Sequence, residues 1–106
     1  MIARLWRGAA EGEGNADAYQ RHATATVFPA LRDIPGHRGA CLLRRATGER
    51  TEFLALTLWD SIEAIRAFAG ADHEQAVFYP EDEKFLIERG PRVTHYEVMA
   101  SPGSLR

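Results

Sequence analysis

Trp59, His73 and His22 are the residues whose types and positions are best able to support chemistry. Trp59 ends an apolar segment, and an indole ring there provides a flat wall for an aromatic molecule and an N–H donor for its oxygen. His73 follows Gly70, which closes the next segment, and His22 lies three residues after Tyr19. An imidazole titrates near neutral pH and can accept a proton from an acidic phenol or enol, or bind iron. These residues predict a site for a small aromatic molecule, with His73 or His22 as the proton acceptor.

Phe68 and Tyr79 extend the predicted pocket around Trp59. Phe68 lies on the apolar face of the segment that follows Trp59, and Tyr79 precedes Pro80, where it is placed to close a pocket or donate a proton. Each aromatic residue also has a structural interpretation, because large apolar side chains commonly fill a core. The structural alternative is a solvated loop residue for His73 and a half-exposed helix residue for His22.

Four arginines on two predicted strands offer a second kind of chemistry. If they converge, they can bind a carboxylate or phenolate in bidentate fashion, and otherwise they are charges at the rim of the sheet. They are Arg4, Arg7, Arg44 and Arg45. The sequence leaves both interpretations open.

Several other chemistries are not indicated by the sequence. It has no zinc or calcium ligand spacing, no glycine-rich phosphate loop and no G-x-S-x-G motif. Cys41 has apolar neighbours in a predicted strand, which indicates a buried and unreactive thiol. His95 lies in the last predicted strand, where it faces either a pocket or a subunit interface. We therefore predict no metal site.

The candidate residues are held by a strand that continues directly into a helix. The segment TEFLALTLW has apolar residues on both of its alternating faces, which is typical of a strand covered on both sides. Asp60 is the predicted N-cap with Glu63 as its capping-box partner, and Gly70 is the predicted C-terminal stop. Between them, Ile65 and Phe68 fall on one buried helix face.

The whole chain predicts the order strand, helix, strand, strand, helix, strand. The first strand is predicted to end at Gly8. The first helix is predicted to have Asn15 or Asp17 as its N-cap and to reach about Asp33, with a bend or an early end near Pro29. Short helices are predicted around residues 74–78 and from residue 80 to 90. This order gives an α+β, ferredoxin-like βαββαβ fold with an antiparallel sheet and both long helices on one face. Residues 1–99 form the predicted single domain and residues 100–106 a flexible tail.

A fold with helices on one side leaves the other face of the sheet uncovered. Leu54, Leu56 and Leu58 lie on that face, and each aliphatic side chain is worth roughly 2 kcal/mol when it is buried. Two copies packed sheet against sheet would cover both apolar faces through a two-fold contact. We therefore predict an obligate homodimer in the form of an α+β barrel.

The composition of the 106-residue chain narrows its partners and compartment. It is 45% hydrophobic and 26% charged with a net charge of −2, which gives no electrostatic basis for binding nucleic acid or an anionic membrane. An RNA-recognition domain shares this strand order, but TEFLALTL lacks the exposed aromatic residues that stack RNA bases. With a single cysteine and no apolar run long enough to span a bilayer, we predict a cytoplasmic protein without membrane or nucleic-acid partners.

The residues around Trp59 resemble a known family signature. Trp59-Asp60-Ser61-Ile62-Glu63-Ala64 is similar to the W-[ED]-S-x-E-A pattern of the antibiotic biosynthesis monooxygenase superfamily of dimeric α+β barrel proteins. The resemblance extends more weakly from Ile2 to Met99. It implies one of several activities, because members include quinone-forming monooxygenases that use no metal or flavin, haem-degrading enzymes and aldehyde-metabolism partners.

The resemblance to anthrone-oxidising members covers only part of their site. Trp59 matches their pocket tryptophan, whereas their asparagine and tyrosine positions fall at Ala55 and Ile65. The first hypothesis is a cofactor-independent monooxygenase that acts on a small phenol or anthrone. The alternative is a non-enzymatic module of the same fold that binds a small molecule.

The resemblance to haem-degrading members is weaker at the functional positions. Their asparagine, tryptophan and iron-binding histidine fall at Leu5, Phe68 and Phe78. His73 then remains as the candidate iron ligand of a haem-binding protein, which is the second alternative. The resemblance therefore favours a protein without a cofactor.

Overall fold

The computed structural model describes residues 1–100 of the chain. Its strands and helices follow one another along the chain as β1 (Ile2–Glu11), α1 (Glu13–His22), a π-helical segment (Ala23–Val27), α2 (Phe28–Leu31), β2 (His37–Thr47), β3 (Arg50–Trp59), α3 (Ile62–Ala69), α4 (Asp82–Phe85), β4 (Glu88–Arg89) and β5 (Thr94–Glu97). The predicted tail lies outside the described residues except for Ala100.

The strands form one antiparallel sheet with the order β2-β3-β1, and both β4 and β5 pair with the outer edge of β1. The last strand of the ferredoxin-like order is thus divided into two pieces. The chain leaves the ladder between β4 and β5 for two reasons. Pro91 has no N–H to donate to the ladder, and the Gly90 carbonyl accepts from Trp6 Nε1 at 2.9 Å. The predicted α+β, ferredoxin-like fold is confirmed.

The pairing of β1 with β3 assigns each side chain to one face of the sheet. It runs without interruption from Ile2 opposite Trp59 to Glu11 opposite Arg50. The face toward the helices carries the side chains of Arg4, Trp6, Phe53, Thr57 and Trp59. The opposite face, called here the open face, carries Leu5, Cys41, Leu43, Leu54, Leu56, Leu58 and Tyr96.

The core lies between the helix-facing side of the sheet and α1. Tyr19 packs on Phe53 with ring centroids 4.8 Å apart, and the small side chains of Ala16 and Ala23 let α1 approach the sheet closely. A second group, Trp59 and Ile65, is fully buried between β3 and α3. These residues fix the positions of both helices over the sheet.

The predicted end of β1 at Gly8 is wrong. The strand continues to Glu11 because Ala9 and Ala10 pair with Glu52 and Thr51 of β3. Helix α1 accordingly begins at Glu13, and the proposed cap Asn15 instead donates its side-chain amide to the Glu11 carbonyl.

Four further local predictions are also corrected. Ser61 rather than Asp60 caps α3, since its hydroxyl accepts from the Ala64 N–H while Asp60 binds Arg38. Residues 74–78 are not helical, and Gln75 forms an isolated β-bridge with Arg92. Helix α4 is a single turn that ends where Leu86 adopts β conformation. Cys41 is exposed because it lies on the open face. The predicted stop at Gly70 is confirmed by its φ of +100°.

Candidate functional site

A cavity of about 80 Å³ lies between the helix-facing side of the sheet, the helices and the segment before α4. Most of its wall is apolar and aromatic, formed by Trp6, Val27, Phe28, Leu31, Ala55, Phe68, Val77 and Val93. Its polar lining consists of Arg4, Tyr19, Thr57, Tyr79 and Asp82. An apolar cavity with a few convergent polar groups is the usual form of a site for a small organic molecule.

The π-helical segment forms part of this wall. Pro29 lacks an N–H and its ring crowds the carbonyl one turn earlier, so the regular helical hydrogen bonding is disturbed there. The wider π turn at Ala23–Val27 accommodates this, and it places Val27 and Phe28 at the cavity. Such segments occur frequently at functional sites.

Asp82 is the buried carboxylate of the cavity. It is 5% exposed, and its Oδ2 accepts the Tyr79 N–H at 2.9 Å. Its Oδ1 lies 3.5 Å from Nε2 of His22, a nitrogen with no hydrogen-bond partner among residues 1–100. The His22 ring is enclosed by Tyr19, Tyr79 and Phe85. The arrangement is a carboxylate–imidazole pair positioned to accept a proton inside an aromatic cavity.

Two tyrosine hydroxyls accompany this pair. Burial, and then the negative charge of Asp82, raise the pKa of both Tyr19 and Tyr79 above the ordinary value. Both phenols therefore remain protonated at neutral pH. Each can donate a hydrogen bond to an oxygen atom of a bound molecule.

Arg4 is the buried cation of the same cavity. It is 4% exposed, and its guanidinium donates to the main-chain carbonyls of His73 and Gln75 and lies 3.1 Å from His95 Nε2. Burial lowers the pKa of Arg4 to about 10, so it stays charged at neutral pH. Arg7 and Arg45 lie on the open face and Arg44 binds Asp17, so the four arginines do not converge.

His73 takes part in this region through its main chain. Its ring does not line the cavity. Its carbonyl accepts from Arg4, and its ring lies beside that of His95 with centroids 5.1 Å apart. Burial, and the charge of Arg4, lower the pKa of His95. Arg4 is therefore the positive charge at this end of the cavity.

Phe68 lines the cavity, and Trp59 lies behind it. The two rings stack at 5.2 Å with an interplanar angle of 26°, and the Trp59 indole N–H donates to Thr57 Oγ1 at 2.8 Å. Trp59 is fully buried, and the edge of the His37 ring packs against it. Its contacts make it a support for the wall that Phe68 and Thr57 form.

The structure therefore brings together only some of the residues predicted from sequence. Phe68 and Tyr79 line the cavity and His22 reaches it through Asp82, whereas Trp59 and His73 lie outside the lining. Asp82 was not identified from sequence, where it is simply an acidic residue in the first turn of a predicted helix. The available indication was its position three residues after Tyr79, which lets a carboxylate accept that main-chain N–H.

Residues 1–100 contain no group of three or more His, Cys, Asp or Glu side chains arranged to hold a metal ion. None of their helices has the length and apolarity needed to cross a bilayer.

Comparison with known proteins identifies the family. Residues 12–78, more than half of the chain, match the family model of the antibiotic biosynthesis monooxygenases, and the chain belongs to this family. No curated protein matches the sequence.

Solved structures of the same fold include proteins with different activities. The haem degrader MhuD of Mycobacterium tuberculosis, with two haems bound, is 24% identical with a TM-score of 0.63, covering 97% of this chain and 100% of MhuD. The monooxygenase from ActVA-Orf6 of Streptomyces coelicolor, in complex with nanaomycin D, is 19% identical with a TM-score of 0.62, covering 95% of this chain and 89% of that one. At these identities the likeness establishes the fold.

Proposed function

We propose that the protein is a cofactor-independent monooxygenase that oxidises a small phenol or anthrone in the cavity between sheet and helices. The observation that carries this proposal is the buried Asp82–His22 pair beside two protonated tyrosines in an aromatic cavity. The family and the similarity to the ActVA-Orf6 monooxygenase support the reaction class.

The chemistry requires a base, a place for negative charge and molecular oxygen. Asp82, assisted by His22, takes a proton from the acidic methylene of an anthrone or from a phenol hydroxyl. The hydroxyls of Tyr19 and Tyr79 stabilise the resulting oxyanion. With an anthrone, the carbanion adds oxygen to form a hydroperoxide, which loses water to leave a carbonyl. One oxygen atom thus enters the product, the other leaves in water, and the methylene carbon supplies the electrons.

Substrate entry requires the cavity to enlarge. Ligand pockets usually measure about 300–1,000 Å³, and this one measures about 80 Å³. The π-helical segment is the element best suited to move, because its hydrogen bonding is already irregular and it forms one wall. Closure over the substrate would then exclude water from the carbanion.

Oxygen consumption tests this proposal. With an anthrone as substrate and chelator-treated protein, we expect protein-dependent uptake of one oxygen molecule for each anthraquinone formed. The Trp59→Phe and His73→Ala variants should retain most of this activity, because neither side chain lines the cavity. A rate no higher than that of buffer, with anthrones and hydroquinones alike, would reject the proposal.

A non-enzymatic binding module is the second candidate. The observation that favours it concerns Ala55 and Ile65, which occupy the asparagine and tyrosine positions of the anthrone-oxidising members. Both are apolar here, since Ala55 lies in the cavity wall and Ile65 is fully buried in the core. In this case the same cavity holds a small molecule without changing it. Native mass spectrometry that detects a bound molecule, recovered unaltered in the presence of oxygen, would support this candidate over the first.

The described residues do not fit a haem. The ring of His73, the candidate iron ligand, lies against His95 and not in the cavity lining. Phe68 and Phe78 offer no iron ligand. We therefore derive no step through haem, although MhuD has a similar fold.

We also propose that the open face is covered by the open face of a second copy. Leu43 is 45% exposed and Tyr96 58% exposed on it, and Leu5, Leu54 and Leu56 are half-buried. Such an apolar surface is larger than single scattered residues and is typical of an interface. We therefore propose a homodimer that binds a small-molecule ligand. The single cysteine supports a location in the reducing cytoplasm.

Light scattering should report a species of about twice the 11.8 kDa chain mass. Leu56→Lys places a charge at the centre of the open face, opposite Leu5 and Cys41, and should convert the dimer to monomer or prevent folding. Ala67→Lys, at an exposed position of α3, is the matched control and should remain dimeric. A folded wild-type monomer at low micromolar concentration would contradict the dimer.

A further inference from the structure

We propose that the cavity is specific for an aromatic acid, a ligand whose ring lies against Phe68 and whose carboxylate is bound by Arg4. This inference deepens the proposed function, since it concerns the same cavity, and it rests on that cavity being the ligand site. The chemical class is an aromatic ring that carries a carboxylate in addition to any phenol or methylene that reacts.

The first observation is that the Arg4 guanidinium has donors to spare. Of its five N–H groups, two on Nη1 and one on Nη2 are directed at the His73 carbonyl, His95 Nε2 and the Gln75 carbonyl. The Nε hydrogen and the second Nη2 hydrogen have no acceptor among residues 1–100. A carboxylate provides two acceptor oxygens for such a pair of donors.

The second observation is that no carboxylate of residues 1–100 forms an ion pair with Arg4. The acidic residues on the adjoining segment, Asp72 and Glu74, are bound to Arg92 at 2.8 Å and 3.1 Å. The remaining polar contacts of Arg4 are main-chain carbonyls and the ring of His95. A cation that is 4% exposed without an anionic partner is costly to bury, and an anionic ligand would remove that cost.

The third observation is that His95 makes the same end of the cavity more favourable to an anion. Its Nε2 faces the donating Arg4, so Nε2 is the acceptor and the ring hydrogen is on Nδ1. This Nδ1 is buried without a hydrogen-bond partner among the described residues. The Nδ1 hydrogen is therefore a further donor beside Arg4 that has no acceptor among residues 1–100.

The ligand's orientation follows from the contact between Arg4 and Phe68. The Arg4 Cζ lies over the Phe68 ring, 5.8 Å from its centroid, so a ligand ring that packs beside Phe68 brings an attached carboxylate within reach of the guanidinium. Asp82 also lines the cavity, and it would repel an anion. The carboxylate therefore goes to Arg4, and a hydroxyl or acidic C–H of the same molecule goes to Asp82.

Benzoate and benzamide test this inference, because they have the same ring and nearly the same shape but differ in charge. Both are titrated at pH 7 into ¹⁵N-labelled wild-type protein, and the amide signals of Phe68 and Tyr79 and the Nε signal of Arg4 are followed. We expect benzoate to bind at least about tenfold more tightly, as a charge-assisted bidentate contact implies, and to shift the Arg4 Nε signal. Equal affinities, or an unmoved Arg4 signal, would overturn the inference.

Variants provide a second measurement. Arg4→Gln should reduce the affinity for benzoate to that for benzamide, whereas Arg44→Gln, which removes an exposed arginine bound to Asp17, should keep the preference. If Arg4 only holds the 73–75 segment in place, Arg4→Gln will weaken both compounds equally, and the inference fails. The wild-type comparison stands even if Arg4→Gln does not fold.

The outcomes also separate this inference from the proposed function. Binding of both compounds at Phe68 and Tyr79 without preference rejects the acid and keeps the cavity as a ligand site. Binding of neither rejects the aromatic-acid inference, while oxygen uptake with anthrones and hydroquinones still decides the proposed function. A clear preference for benzoate with no oxygen uptake from anthrones or hydroquinones keeps the acid-binding site and rejects the oxygenase chemistry.

Discussion

Replacing Asp82 by asparagine is expected to lower anthrone-dependent oxygen consumption by about 10²–10⁴-fold, the usual contribution of a positioned general base. Asparagine has almost the same shape, and its carbonyl oxygen can still accept the Tyr79 N–H that now binds Oδ2. It cannot take a proton from the substrate at neutral pH. The loss should therefore appear in the turnover number, while substrate binding changes little.

Glu83→Gln is the matched control for this variant. Glu83 is the next residue of α4, but it is exposed and does not line the cavity, so its replacement should leave turnover unchanged. His22→Gln should give a smaller loss than Asp82→Asn, because His22 reaches the cavity only through Asp82. If Asp82→Asn and Glu83→Gln had equal rates, the assignment of Asp82 as the base would be wrong.

Replacing Trp59 by alanine is expected to lower the free energy of unfolding by about 3–5 kcal/mol, the range for truncating a buried aromatic residue. Trp59 is fully buried, stacks on Phe68 and donates its indole N–H to Thr57. Its removal leaves a void between β3 and α3 and an unpaired hydroxyl. Chemical denaturation at one fixed protein concentration measures this loss, since dimerisation links stability to concentration.

Two variants check the cause of that loss. Trp59→Phe keeps most of the ring volume and loses the hydrogen bond, so it should be clearly less destabilising than Trp59→Ala. Phe78→Ala removes an aromatic ring that is 40% exposed, and its effect should be the smallest of the three. A loss below about 1 kcal/mol for Trp59→Ala would mean that this ring does not anchor α3 to the sheet.

The sheet and its helix order could be predicted because their causes are local. The alternating apolar residues of β3 and the three-and-four spacing of Ile65 and Phe68 identify a strand and a helix within a few residues each. Gly70 marks the end of that helix through its positive φ. Local patterns of this kind were sufficient to predict the α+β, ferredoxin-like fold.

The site was harder to predict because its contacts join distant parts of the chain. Asp82 and His22 are sixty residues apart in the chain, and the sequence around either residue gives no indication that the two are in contact. Arg4 and Arg7 are both arginines of β1, but their side chains lie on opposite faces of the sheet. Only this difference makes Arg4 a cavity residue and Arg7 a surface residue. The extent of β1 beyond Gly8 likewise depended on its partner strand, since alanines and a glycine have little strand propensity of their own.

The division of the last strand has a consequence for how these molecules behave at high concentration. An uninterrupted outer strand would present a continuous row of free amides and carbonyls to which another chain could add, the first step toward fibrils. Here that edge consists of two pieces, β4 and β5, separated by Gly90 and Pro91. Neither piece is long enough to serve as a template, so the break at Pro91 prevents strand addition at this edge of the sheet.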